Sequence, residues 1–166
     1  EISECLVGSE MCIRDSTGGY KESMTIIEAV KDIIEKYPQI DEFTNNVHVD
    51  FLDNKEGEAG LFSIGDNKTG EDILGNQIRQ CNLIMYATCQ AVSDYDRLNN
   101  SNFLIDLGWY LEQIEEDTCE VVTGDRKGYI KSITASNAML YQFVNGNVSG
   151  PVKYQIQLAV QYSVEV

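Results

Sequence analysis

Positive charge, histidine and long apolar runs are all scarce in this sequence. There are 12 Lys and Arg against 27 Asp and Glu, giving a formal net charge of −15 and a pI near 4.2. No cluster of Lys or Arg appears anywhere along the chain. Phosphate neutralisation by such clusters carries nucleic-acid affinity, so tight nucleic-acid binding is excluded. An acidic surface keeps a protein soluble and repels DNA. No apolar run approaches the length that spans a bilayer. The first residues lack a basic stretch followed by an apolar one, so no secretory signal is expected and the cytoplasm is the default compartment. The glycosylation triplets beginning at Asn67, Asn99 and Asn147 then carry no weight. The five cysteines, Cys5, Cys12, Cys81, Cys89 and Cys119, are odd in number and match no zinc spacing. Cys81 and Cys89 fall on one candidate strand, about 26 Å apart at the usual rise per residue, too far to bond or to share a metal. Free, buried thiols are the expectation.

The length of 166 residues is that of one domain. Hydrophobic residues at 43% and charged residues at 23% are ordinary for a globular fold. There are no internal repeats and no linker. The opening run from Glu1 to Ser16 has neither helical nor strand periodicity. It resembles the peptide produced when a sequencing adapter is translated in frame. Residues 1–23 are therefore expected to be a non-native or disordered extension, and residues 24–166 a single domain that starts at Met24.

The clearest helix covers residues 24–37. Ile26, Ile27, Val30, Ile33, Ile34 and Tyr37 form one stripe. Thr25 and Glu28 form a capping box, and Pro38 stops the helix. Residues 47–51 alternate as a half-buried strand. Residues 53–60 are expected to be a loop, 61–64 a short strand and 65–70 a turn. Residues 78–89 read as a long strand apolar on both faces and central in its sheet. A second helix is expected at 100–116, capped by Asn100 or Ser101, with Phe103, Leu107, Tyr110, Leu111 and Ile114 as its stripe. Gly108 inside it costs about 1 kcal/mol of helix propensity. Strands follow at 129–136 and 139–144, then a loop at 145–150. Residues 154–164 are the cleanest period-two run in the chain. The order α-β-β-β-α-β-β-β predicts an α+β fold with two helices on one face of a largely antiparallel sheet.

Residues that could carry chemistry are few. Gly65 and Gly70 have phosphate-loop spacing, but Glu71 and Asp72 follow where that loop needs Lys and Ser or Thr. His48 is the lone histidine and shares a strand face with Asp50, an arrangement that can orient a general base. No nucleophile is visibly arranged with them. Asp94-Tyr95-Asp96 lacks the glycine and terminal glutamate of a calcium loop and reads as a turn. Glu115-Glu116-Asp117 reads as a solvated helix end, unfavourably placed at the negative pole of the helix dipole. No catalytic, cofactor-binding or metal-binding residue is assigned.

Residues 24–38 with Asp41-Glu42-Phe43, residues 75–81, residues 102–113 and residues 153–158 together resemble minor-capsid and tail-terminator proteins of tailed phages infecting Gram-positive bacteria. The motifs are short, and their order and spacing carry the resemblance. It implies a tail-terminator-like fold and a virion protein, assembled in the host cytoplasm. Such a protein closes a homo-oligomeric, hexameric ring that caps the tail tube and meets the head connector. It implies no cofactor, no catalytic residues, no membrane partner, and DNA passing without specific binding. Another neck protein, or a small-molecule-binding domain or enzyme using His48 and Asp50, are the alternative readings.

Overall fold

The computed structural model describes residues 23–146, 148 and 150–166. The extension read at 1–23 lies outside the described residues except for Ser23.

Helix α1 runs Ile26–Glu35. Thr25 Oγ1 accepts from the Glu28 N–H while the Glu28 carboxylate accepts from the Thr25 N–H, so the capping box closes as the sequence indicates. Ala29, Val30, Ile33 and Ile34 are its buried stripe. Past Pro38 the chain makes one further helical turn, α2 (Ile40–Phe43), which no periodicity announces.

Strand β1 is Asn46–Val49. It stops short of the expected residue 51 because Asp50 turns into the left-handed region at φ 53°. Strands β2 (Glu58–Glu71) and β3 (Gln77–Gln90) form one long hairpin. The loop, short strand and turn expected across residues 53–70 are thus corrected: strand pairing runs from Glu58 through both glycines to Glu71. Register shifts between Ser63 and Gly65 and between Lys68 and Gly70 absorb the turn-like residues as bulges.

Helix α3 spans Asp94–Glu112, six residues earlier at its start than expected. Its cap is Ser93, closed by Asp96 in a second capping box, and not Asn100 or Ser101. Asp94-Tyr95-Asp96, read as a turn, is therefore the helix's first turn. The helix ends before Glu116 and Asp117, which pair instead with Lys131. Strand β4 (Glu120–Thr123) was not expected. The two strands expected at 129–136 and 139–144 are one strand, β5 (Arg126–Phe143), interrupted by three register shifts. A short 3₁₀ turn at Val144–Gly146 leads to β6 (Pro151–Val164).

The sheet order is β1-β2-β3-β6-β5-β4, antiparallel except for the β1–β2 pair. The fold is of the α+β class. Helices α1 and α3 cover one face, and α3 packs chiefly on β5. Leu104, Leu107 and Leu111 of α3 and Ile156 and Leu158 of β6 meet in this core. Full burial of one such side chain stabilises the fold by about 1.5–3 kcal/mol. Tyr37 and Phe43 close the helix–helix seam against Phe103, with Phe43 stacked on Phe103 at 4.1 Å between ring centres. Cys81 and Cys89 are free and buried, as expected. Cys119 is disulfide-bonded, so the expectation of free thiols fails there.

Candidate functional site

The face of the sheet away from the helices is built from residues that register brings into rows. Asn67, Gln80, Gln161 and Ser132 are successive partners across β2, β3, β6 and β5. Gly65, Asn82, Ala159 and Thr134 form the next row. Phe62, Ile84, Gln157 and Ser136 form the third, and Gly60, Tyr86, Gln155 and Met139 the fourth. These sixteen positions hold no charged residue. In a chain with 23% charged residues, about four would be expected there by composition alone. The intervening rows, such as Ser63, Leu83, Leu158 and Ala135, point to the helices, which explains why the charge-free rows are the outward ones. Amides on that face bond to each other, as where Gln80 Nε2 donates to Asn82 Oδ1 at 2.8 Å and Asn137 Nδ2 donates to Gln157 Oε1 at 2.7 Å.

Both long edges of this surface are open over part of their length among the described residues. Strand β1 pairs with β2 only over Glu58–Leu61, leaving residues 62–71 paired on one side alone. Strand β4 pairs with β5 only over Arg126–Tyr129. Beyond it the Ala135 N–H donates to the Glu112 carboxylate and not to a strand. Each edge carries features that discourage indiscriminate pairing: bulges in both, Lys68 beside Glu71 in β2, and Asn137 at φ 51° in β5.

The tip of the β2–β3 hairpin is rigidly made. Asp72 Oδ1 accepts from the Leu74 and Asn76 N–H groups, Oδ2 accepts from the Asn76 side chain, and Gly75 supplies the left-handed conformation at φ 86°. The Asn76 amide holds the Asp72 carboxyl below its usual range. Ile73 stands fully, and Leu74 largely, in solvent on this turn.

On the helix side, Arg79 Nε donates to Asp66 Oδ1 at 2.7 Å and the Tyr162 hydroxyl donates to Asp66 Oδ2 at 2.6 Å. Burial, and then the bond to Asp66, pushes Tyr162 up to about 12. A cleft adjoining this cluster is lined by Arg79, Arg126, Gln77 and Thr25. Because Asp66 already takes the Arg79 fork, the cluster works as a brace joining β2, β3 and β6.

His48 and Asp50 are not brought together. Asp50 leaves the strand geometry, and its N–H donates to the Leu61 carbonyl. His48 Nε2 instead lies 2.7 Å from Glu58 Oε2, and its ring meets Phe51 edge-on. The glycine pair at 65 and 70 is in a strand, with no phosphate cradle. Among the described residues no group of three His, Cys, Asp or Glu is placed to hold a metal ion. No helix among them is long and apolar enough to cross a membrane.

Neither a family model nor a curated protein matches the chain.

The charge-free face was missed at the level of sequence because it needs three strand registers at once. The one visible trace of it is the repeated glutamine at 155, 157 and 161 in β6.

Proposed function

We propose that this protein is a structural component of a tailed-phage virion, of the minor-capsid or tail-terminator kind, acting as a closed ring between tail tube and head connector. The observation that carries this reading is the uncharged outward sheet face lying between two open strand edges. The four long strands alternate in direction along the order β2-β3-β6-β5. An even number of alternating strands means that β5 of one copy meets β2 of the next in antiparallel sense, so head-to-tail contacts extend the sheet without reversing it. Contacts of that heterologous type close into a ring when the rotation per copy permits. Backbone hydrogen bonds at open edges supply affinity, and side chains supply register.

In such a ring the charge-free face lines the channel. Bases there would hold phosphates by releasing counterions, and acids would raise a barrier to a polyanion. Amides and hydroxyls do neither, so DNA slides through without being bound. The order and spacing of the sequence motifs that resemble minor-capsid and tail-terminator proteins support the same reading.

Deleting the gene and imaging the particles is the direct test. Unjoined heads with tails of abnormal length are expected, and complete virions of normal tail length would refute the proposal. A second measurement bears on the channel. Gln157→Lys with Asn82→Lys should leave particles joined but slow DNA ejection. Unchanged ejection would take the lining role away from this face.

A further inference from the structure

Helix α3 has two apolar stripes. Leu104, Leu107, Gly108 and Leu111 face the core. Tyr95, Leu98, Ile105 and Trp109 face solvent, at 71%, 58%, 47% and 67% exposure. With Asn102 between them, these outward positions are spaced three, four, three and four residues apart. At about 100° per residue they fall within an arc of about 80°, and they run about 21 Å along the helix. That is the spacing of a seam that receives a second helix, with one polar residue in it of the kind that fixes register. A shallow groove continues the seam sideways, between Ile105 and Trp109 on the helix and Ala135 and Ala138 on β5.

Charge on the flanks selects the occupant. Asp94 and Glu112 border one side of the seam and Asp106 the other. All three are exposed, and the one base nearby, Arg97, is taken up by Asp94 and the Ala91 carbonyl. A second copy of α3 would bring like charges together. Among the described residues no basic helix face is on offer, since Lys31 and Lys36 of α1 are paired with Glu35 and Asp32.

We infer that the outward face of α3 is a docking site for an amphipathic helix with basic flanks, carried by a different protein. The seam takes its apolar stripe, and its Lys or Arg side chains meet Asp106 on one side and, on the other, the second carboxylate oxygens of Asp94 and Glu112, whose Oδ1 and Oε1 are held by Arg97 and the Ala135 N–H. The inference does not depend on ring closure, because the seam lies on the helix layer and the charge-free rows on the opposite face of the sheet.

Trp109 is the chain's single tryptophan, so its emission reports the seam directly. The full chain is titrated with a synthetic peptide of three Leu/Lys heptads. A saturable blue shift is expected, weakening as salt rises. A peptide with Glu in place of Lys should bind at least tenfold more weakly. Leu98→Asp with Ile105→Asp should abolish the shift. Both side chains are exposed, so the near-ultraviolet dichroism of this variant should be unchanged. Asp106→Lys should weaken binding of the basic peptide and leave the probe intact. No shift, equal binding of both peptides, or binding that survives Leu98→Asp with Ile105→Asp overturns the inference. A blue shift on raising the protein's own concentration, or on adding neutral phosphatidylcholine vesicles, would assign the seam to self-association or to membrane and overturns it equally.

Discussion

Gly108 is where α3 comes closest to β5, and it offers a measurable consequence. A Cβ placed there would lie 3.1 Å from the Ala135 Cβ and 3.6 Å from Ile156 Cδ1. The second distance is an ordinary contact and the first is a few tenths of an ångström short. Two effects therefore oppose each other in Gly108→Ala. Helix propensity favours alanine by about 1 kcal/mol. Crowding a packed contact costs about 1–3 kcal/mol when neighbours cannot move. Here Ala135 can yield, because it precedes the register shift at Ser136–Met139 and its N–H is bonded to a side chain. Gly108→Ala alone should thus change stability by less than about 1 kcal/mol. With Ala135→Gly the collision is removed, and the same substitution should then gain the full amount, about 1 kcal/mol. Urea unfolding of the four proteins completes the double-mutant cycle, with unchanged slopes as the check on two-state behaviour. A coupling below about 0.3 kcal/mol, within the range expected of independent sites, would show that the glycine is not there to admit β5.

Replacing Leu107, which is fully buried, by alanine should cost about 2–5 kcal/mol in the same assay, and a loss below about 1 kcal/mol would contradict its place at the centre of the core. His48→Gln should keep the fold, changing stability by no more than about 1 kcal/mol because the pair with Glu58 is partly solvated, and should leave particle assembly intact. A folded His48→Gln protein that fails to assemble would point back to a chemical role for the histidine. Alkali should destabilise the protein. Burial pushes Cys89 up to about 12, and burial with the Asp66 bond does the same to Tyr162. The unfolded chain releases these protons first, so their contribution is fully present below the ordinary values of 9.0 and 10.0 and is lost as pH rises towards about 12. Unfolding midpoints measured from pH 8 to 12 should fall, and Tyr162→Phe should make the fall shallower; a midpoint independent of pH would refute the assignment.

Elements with one dominant local cause were legible in the sequence. The Thr25–Glu28 box and the stripe behind it mark α1, and the alternation in 154–164 marks β6, because each pattern is complete within a single element. Elements decided by competing local preferences were not. Gly65-Asp-Asn-Lys-Thr-Gly70 has the composition of a turn, yet the hairpin continues through it, since pairing with β3 supplies hydrogen bonds that the local preference does not. In β5, Asn137 at φ 51° looks like the end of one strand and the start of another, and the chain crosses it as a bulge. The start of α3 was legible in principle: Ser93 and Asp96 have capping-box spacing, but Asp94-Tyr95-Asp96 has the composition of a turn and hid it. Misplacing that start also hid Tyr95 and Leu98, and with them half of the outward stripe.

The outward sheet face shows why a surface of this kind escapes a reading along the chain. Gln157 acquires meaning only when Ile84 and Ser136 are known to flank it, and those residues lie far away in sequence. Yet the register that places them is fixed by the other face. Sliding β6 by one residue would turn Val160 and Leu158 outward and drive Gln157 and Gln161 into the core. Burying an amide without a partner costs about 1–3 kcal/mol by protein mutational data, so the slipped arrangement is strongly disfavoured. The packing that selects one register therefore also selects which fourteen side chains and two glycines share the opposite face. Core and surface are not independent here: alternation in β3 and β6 specifies the fold on one side and, on the other, a continuous uncharged track bounded by two edges that β1 and β4 cover only in part.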